Sequence, residues 1–204
     1  MPKLRNCGME MVPPSDAEPK AGQFLLSEPF LLDPWFGRKV LFLCNHDEEG
    51  SMGFVLDNGM QRNLTSLLPD VESWSVEQEV HRGGPSHADS LFYLHRFGDR
   101  VEESIPVLPG LWMGGDFDAL KEILNAEPAG PADVRFFAGY SGWAPGQLKD
   151  EMEGSSWYVH DLPAPEKMNV VMDSSSKGLW AKLLSSKGPG FAKVTQLPQD
   201  PSLN

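Results

Sequence analysis

The chain has 204 residues, 40% hydrophobic and 23% charged, a balance that suits one globular domain with a real core. A net charge of −12 repels nucleic-acid phosphates and anionic lipid headgroups and favours basic partners. Two cysteines, Cys7 and Cys44, no apolar leader and no run near the ~18 apolar residues of a membrane span point to a reducing, cytoplasmic setting without a structural disulfide.

Residues 1–20 are Pro-rich, polar and without periodicity, which predicts a disordered leader. A single domain is expected over 21–195, and a loose tail over 196–204. "GQFLLSEP" reads as a short strand, and in "LLDPWFGR" Asp33 is placed to cap one helical turn with Pro34 inside it. Val40 to Cys44 is a continuous apolar run, as in a strand buried on both faces. "HDEEGS" then reads as a connecting loop and "MGFVLDN" as a second strand, with a tight turn at Asn58-Gly59 and one or two helical turns in "LTSLLPD".

Further strands are predicted in "EVHRGGPS", which runs into a Gly-Gly-Pro turn, in "SLFYLHRF", near "LWMGG", in "DVRFFAGY" and in "SWYVHD". "DFDALKEILNA" reads as a helix capped by Asp116, with Phe117, Leu120, Ile123 and Leu124 on its apolar face. "PGQLKDEM" and "GLWAKLLSS" read as two more helices. Strands dominate early and helices late, which predicts α+β rather than a regular βαβ alternation.

Five motifs now stand in order: "LLDPWFGRKVLFLCNHDEEGSMGFVL", "HRGGP", "LFYLH", "LWMGGDFDAL" and "FFAGYSGWAPGQLKDEMEGSSW". Together they resemble the AlgH/YqgE family of small bacterial proteins, from about Gly22 to Trp157. The resemblance implies a bent, bifurcated sheet that closes into a pseudo-barrel flanked by helices, in a bacterial cytosolic protein. It implies no reaction; the family name associates its members with alginate production and transcriptional regulation. The chain departs from the family pattern at "LDNGM", where relatives read something like Leu-Asn-Arg-Pro, so no role of that Arg carries over.

The stretch "AGYSGWAPGQLKDEM" raises the sharpest chemical question. A nucleophile elbow needs G-x-S-x-G, and here Trp143 fills the last place after Ser141. A triad also needs a histidine and a carboxylate, and after Ser141 only His160 follows. The alternative is a strand-to-helix corner: Pro145 at the first helical position, Gln147 bonding back to the cap, Leu148 and Met152 docking the helix that carries Glu151, and Trp143 as anchor. This second alternative accounts for more of the residues.

Elsewhere, Cys44 and His46 share a strand face ahead of Asp47, Glu48 and Glu49. Their spacing matches no Cys/His metal motif, so a solvated hairpin tip or a contact for a basic partner is expected. The diglycines Gly83-Gly84 and Gly114-Gly115 match no phosphate loop and read as turns or as part of a shaped surface. Asp33 and Arg38 either close their loop by an ion pair or line a groove with His46 and Trp143. Basic residues are scattered singly, so direct DNA binding is not expected. No catalytic residue, metal set or cofactor is assigned. A regulatory or adaptor protein that contacts another protein is expected, and an enzyme or small-ligand binder built on the Asp33–Arg38–His46–Trp143 groove is the alternative.

Overall fold

A computed structural model describes residues 17–68, 79–126, 132–173 and 177–200. The greater part of the expected leader lies outside these residues. In chain order the elements are β1 (Phe24–Ser27), β2 (Val40–Asp47), β3 (Gly50–Val55), β4 (Gly59–Asn63), a 3-10 turn (Leu64–Ser66), β5 (Glu79–Arg82), β6 (Ser86–His95), β7 (Ile105–Leu108), β8 (Leu111–Met113), α1 (Phe117–Ala126), β9 (Val134–Trp143), α2 (Gln147–Glu153), β10 (Trp157–His160), α3 (Ala164–Met172), α4 (Leu179–Ser186) and α5 (Pro189–Val194). The result is a mixed α+β domain built on one large sheet.

The strand order is β10-β1-β2-β3-β9-β6-β8-β7, and β4 and β5 branch from it. The branch point is β9. Its first half, Phe136 to Ala138, pairs with β5 in parallel, and its second half, Ser141 to Trp143, pairs with β3 in antiparallel fashion. Along its other edge it pairs antiparallel with β6. The sheet therefore bifurcates as the family resemblance implies. No pairing among the described residues joins β10 to β7, so closure into a pseudo-barrel is not part of the observed sheet.

The continuous apolar runs of β1 and β2 are explained by cover on both faces. Phe24, Leu26, Val40, Phe42 and Phe54 pack with Val171, Trp180, Leu183 and Leu184 of the C-terminal helices. On the opposite face Leu25, Leu41, Leu43 and Val55 pack with Leu148 and Met152 of α2 and with Trp143 and Trp157. A third cluster places Leu120, Ile123 and Leu124 of α1 on Val134 and Phe136 of β9. Asp116 caps α1 as predicted: its Oδ1 accepts from the N–H groups of Asp118 and Ala119 at 2.8 and 3.2 Å.

Several elements depart from the sequence expectations. "HDEEGS" is not a long loop: β2 runs to Asp47, β3 starts at Gly50, and Glu48-Glu49 alone form the hairpin tip. β4 and β7 were not among the predicted elements. α3 and α5 were not expected, and both carry a proline in the first turn, where no N–H is needed. β9 continues three residues past Tyr140, through Gly139, which adopts φ +68. The alternation resets at this glycine, so Phe137 and Tyr140, three apart, face the same cluster.

Candidate functional site

The corner after β9 is held by a closed set of hydrogen bonds. Glu151 Oε2 accepts from both indoles, Trp143 Nε1 at 2.9 Å and Trp157 Nε1 at 2.8 Å. Glu151 Oε1 accepts from Gln147 Nε2 at 3.0 Å, and Gln147 Oε1 accepts from the Ala144 N–H at 3.1 Å. The predicted back-bond of Gln147 therefore forms, although the helix begins at Gln147. Gly146 takes φ +80, which breaks helical geometry one residue earlier. The two indole rings meet edge to face at 6.1 Å. "SGWAPGQLKDE" thus encodes an anchor, its acceptor and the cap that places the helix.

Ser141 is 1% exposed and its hydroxyl donates to the Gly83 carbonyl at 3.1 Å. A serine so placed presents no oxygen to a substrate. The same carbonyl accepts from the Val55 N–H, and the Gly83 N–H donates to Ala138 O at 2.9 Å. A Cβ on Gly83 would lie 2.2 Å from Gly139 O, and one on Gly84 2.3 Å from Tyr140 O. Close approach of β5 to β9 is the physical reason for this diglycine.

On the face that carries α2, cross-strand register places His46, Ser51 and Trp143 side by side in β2, β3 and β9. His46 Nδ1 lies 2.7 Å from Ser51 Oγ. At the hairpin tip Asp47 accepts from Asn45 Nδ2 and from the Glu49 N–H at 2.9 and 2.8 Å. These bonds hold its carboxyl below the usual carboxylate range, the Asn45 amide first. Glu48 and Glu49 are exposed beside it. Cys44 is buried in the apolar interior, which pushes its thiol up and leaves it inert. No group of three or more His, Cys, Asp or Glu side chains suited to a metal ion occurs among the described residues.

Asp33 and Arg38 serve the chain's own backbone. Asp33 Oδ1 accepts from the N–H groups of Trp35 and Phe36 at 2.8 and 2.9 Å, which caps a turn rather than a helix. That turn seats Phe36 on Trp157, 5.5 Å between ring centres. Arg38 turns toward the C-terminal helices, lies 5.1 Å over Trp180, and donates to Pro29 O and Leu197 O. Burial lowers its pKa. Gln199 Nε2 likewise donates to Leu31 O at 2.7 Å, so residues 197–199 are tied to this loop rather than loose. Of the four expected groove residues, His46 and Trp143 share a face, and Asp33 and Arg38 are bound elsewhere.

The sequence reading missed a buried charge. Arg135, 2% exposed in the midst of "VRFF", donates to Leu56 O and to Val171 O at 2.6 Å for the latter. Its Nε has no hydrogen-bond partner among the described residues. Burial pushes its pKa down to about 10 against the pull of Asp173, Asp57 and Glu79. Asp57, at the departure "LDNGM", accepts from the Val40 N–H at 2.9 Å. Burial pushes its pKa up to about 6 against that bond, Lys39 and Arg135. An arginine inside an apolar strand was the available signal. His95 is also fully buried; its Nε2 donates to Gly114 O at 2.9 Å, and burial lowers its pKa.

The AlgH-like family model matches residues 24–192. The chain belongs to the AlgH-like family. A UPF0301 protein of Chlorobaculum parvum is 36% identical over 185 residues, covering 91% of this chain and 96% of the relative. One of Bacteroides fragilis is 37% identical over 187 residues, covering 91% and 92%. Among solved structures, a Corynebacterium diphtheriae protein superposes with a TM-score of 0.72 at 22% identity, covering 89% of this chain and 94% of that one. The solution structure of the AlgH protein of Pseudomonas aeruginosa superposes at 0.65 with 24% identity, covering 90% and 98%. These two superpositions establish a shared AlgH-like fold. Among the described residues no helix is long and apolar enough to cross a membrane.

Proposed function

We propose that this AlgH-like protein is a non-enzymatic adaptor or regulator in the cytoplasm that works by contacting another protein. The observation that supports this reading most is the β2–β3 hairpin. It presents Glu48 and Glu49 to solvent on a two-residue tip whose backbone is fixed by Asp47. A fixed, exposed acidic tip on a chain of net charge −12 suits a basic protein surface. The residues that look most chemical, Ser141, Gly83-Gly84, Trp143 and Glu151, are engaged within the fold. The acidic charge also argues against direct DNA contact as the route to regulation.

Co-purification from cells compares the wild-type protein with Glu48→Lys/Glu49→Lys. A partner retained by the wild type and lost by the double variant is the expected result. A wild-type protein that retains no partner under any condition overturns the proposal.

The second reading is a small-ligand binder on the His46–Ser51–Trp143 face, which the 2.7 Å contact of His46 with Ser51 favours. A thermal-shift screen with divalent metals, nucleotides and common metabolites tests it. Ligand at a hundredfold its Kd stabilises by ~2.7 kcal/mol, a readily measured shift in Tm. A flat response across the panel removes this reading.

A further inference from the structure

On the sheet face opposite α2, a row of partly exposed side chains crosses four strands. Register sets Asn45, Met52 and Gly142 side by side in β2, β3 and β9. Two residues back along β9, the Tyr140 ring leans on Gly142, where a Cβ would sit 3.0 Å from Cε2. His87 of β6 stacks on Tyr140, 5.5 Å between ring centres and 13° from parallel. Phe92 supports Tyr140 from below, edge to face at 5.2 Å. Met52, Phe92 and Tyr140 border the main core without being enclosed by it, and Asn45, His87 and Gly142 are exposed.

Two backbone irregularities build this row. The left-handed backbone at Gly139 turns Tyr140 onto this face. Opposite it, the register of β6 jumps between Ser86 and Leu91, and His87 takes φ +49. Bulges re-aim side chains and cluster where sheets meet other molecules. At the β2 end the row meets negative charge: exposed Asp47 accepts from Asn45, and Glu48 and Glu49 follow at the tip.

We propose that this row is a docking surface for an extended, arginine-bearing segment of another protein, with one guanidinium over the His87–Tyr140 rings and a second cation at Asp47. A guanidinium stacks on aromatic rings and pairs with carboxylates, which joins both ends of the row in one side-chain type. Asp47 and Tyr140 are separated by two strand spacings, about 10 Å, and by four residues along the strand direction, about 13 Å, hence about 16 Å in all. Five residues of extended chain cover about the same distance, so the two cations belong at Arg-x-x-x-x-Arg spacing. The inference rests on the adaptor reading and names the partner's chemistry.

The probe is the peptide Gly-Arg-Ser-Thr-Ser-Thr-Arg-Gly, titrated into the full 15N-labelled chain, with Gly-Ala-Ser-Thr-Ser-Thr-Ala-Gly as control. Saturable shifts at Asn45, Met52, Gly142 and His87 are expected with the arginine peptide alone. Tyr140→Leu, His87→Asn and Asp47→Asn should each weaken binding by about threefold to tenfold, the range of an exposed cation–π or charge contact. Tyr140→Phe keeps the ring and should bind as the wild type does. So should Glu153→Gln, which removes an exposed charge from α2 on the other face. Should Tyr140→Leu fail to fold, exposed His87→Asn decides, since asparagine tolerates the left-handed backbone.

Absence of saturable binding, or equal weakening by Glu153→Gln and His87→Asn, overturns the surface. A captured partner that withstands His87→Asn and Asp47→Asn also overturns it and leaves the adaptor reading intact. Peptide binding at the row without any captured partner supports the surface and removes the adaptor reading.

Discussion

The Trp143 corner and the Arg135 site both put polar groups under the sheet, and they do so in opposite ways. At the corner, the two indole donors and the Gln147 side chain meet the oxygens of one carboxylate, within a few residues of chain. At Arg135 a full charge is buried, bonded to main-chain oxygens from two distant segments, with Nε unsatisfied among the described residues. The corner is a local motif that stabilises itself. The arginine pays its desolvation to fasten the end of β3 and the last turn of α3 to β9, where a cation also suits the helix C-terminus. One region is optimised for stability, and the other holds the architecture at a cost.

Arg135→Ala should break the second region and produce the largest effect. It removes the Arg135 donors from Leu56 O and Val171 O and removes the counter-charge of Asp57, Glu79 and Asp173. Loss of one partner of a buried charged site costs about 3–5 kcal/mol. Urea unfolding should show this loss, and hydrogen exchange should show α3 opening first. A loss under about 1 kcal/mol would mean that the two carbonyl bonds contribute little net stability.

Glu151→Ala tests the first region. Two indole donors are then left without their acceptor, at about 1–3 kcal/mol each, so the variant should lose about 2–6 kcal/mol. Glu151→Gln retains one carbonyl oxygen and should lose less. The tryptophan emission should shift in the alanine variant, as Trp143 and Trp157 lose their shared partner. Equal stability of both variants would show that packing alone anchors the corner.

The same contrast explains what was legible in the sequence. The corner could be read because its partners lie close together and its signals are local, Trp143 as anchor and the Gln147 back-bond, although Gly146 moves the helix start past Pro145. The strands from Val40 and Gly50 were legible as apolar runs with cover on both faces. β4 was hidden by its polar "GMQRN", β7 by Pro106, and α3 by Pro165 and the β-branched Val170-Val171. Arg38 could not be placed, because its acceptor Leu197 is 159 residues away and local spacing suggested Asp33. The row from Asn45 to His87 escaped notice because strand register, not sequence proximity, assembles it.

Asp57→Asn should sharpen the contrast by relieving the costly region. The folded-state pKa of Asp57 is raised from 3.8 to about 6, so protonation is favoured in the native state. Its contribution to stability is present in full below the unfolded value and disappears as pH rises through about 6. At pH 8 the native state therefore holds a destabilised carboxylate. Asparagine keeps an oxygen for the Val40 N–H and removes the charge. The variant should gain about 1–3 kcal/mol at pH 8 and show no gain near pH 4. A loss at pH 8 would mean that the attraction to Arg135 and Lys39 outweighs desolvation.

Ser141→Ala should have the smallest effect, and it separates architecture from chemistry at the residue that first suggests a nucleophile. The hydroxyl donates to Gly83 O, an oxygen that the Val55 N–H already satisfies. Removing it therefore strands no acceptor, and the methyl side chain fits where β5 approaches β9. The expected loss is about 1 kcal/mol or less, read as a small shift in the urea midpoint with an unchanged slope. Partner capture should be unaffected. A variant that folds with that stability yet loses its partner would show that Ser141 acts on more than Gly83. The close packing of β5 on β9 would then have to open in the working state of the protein.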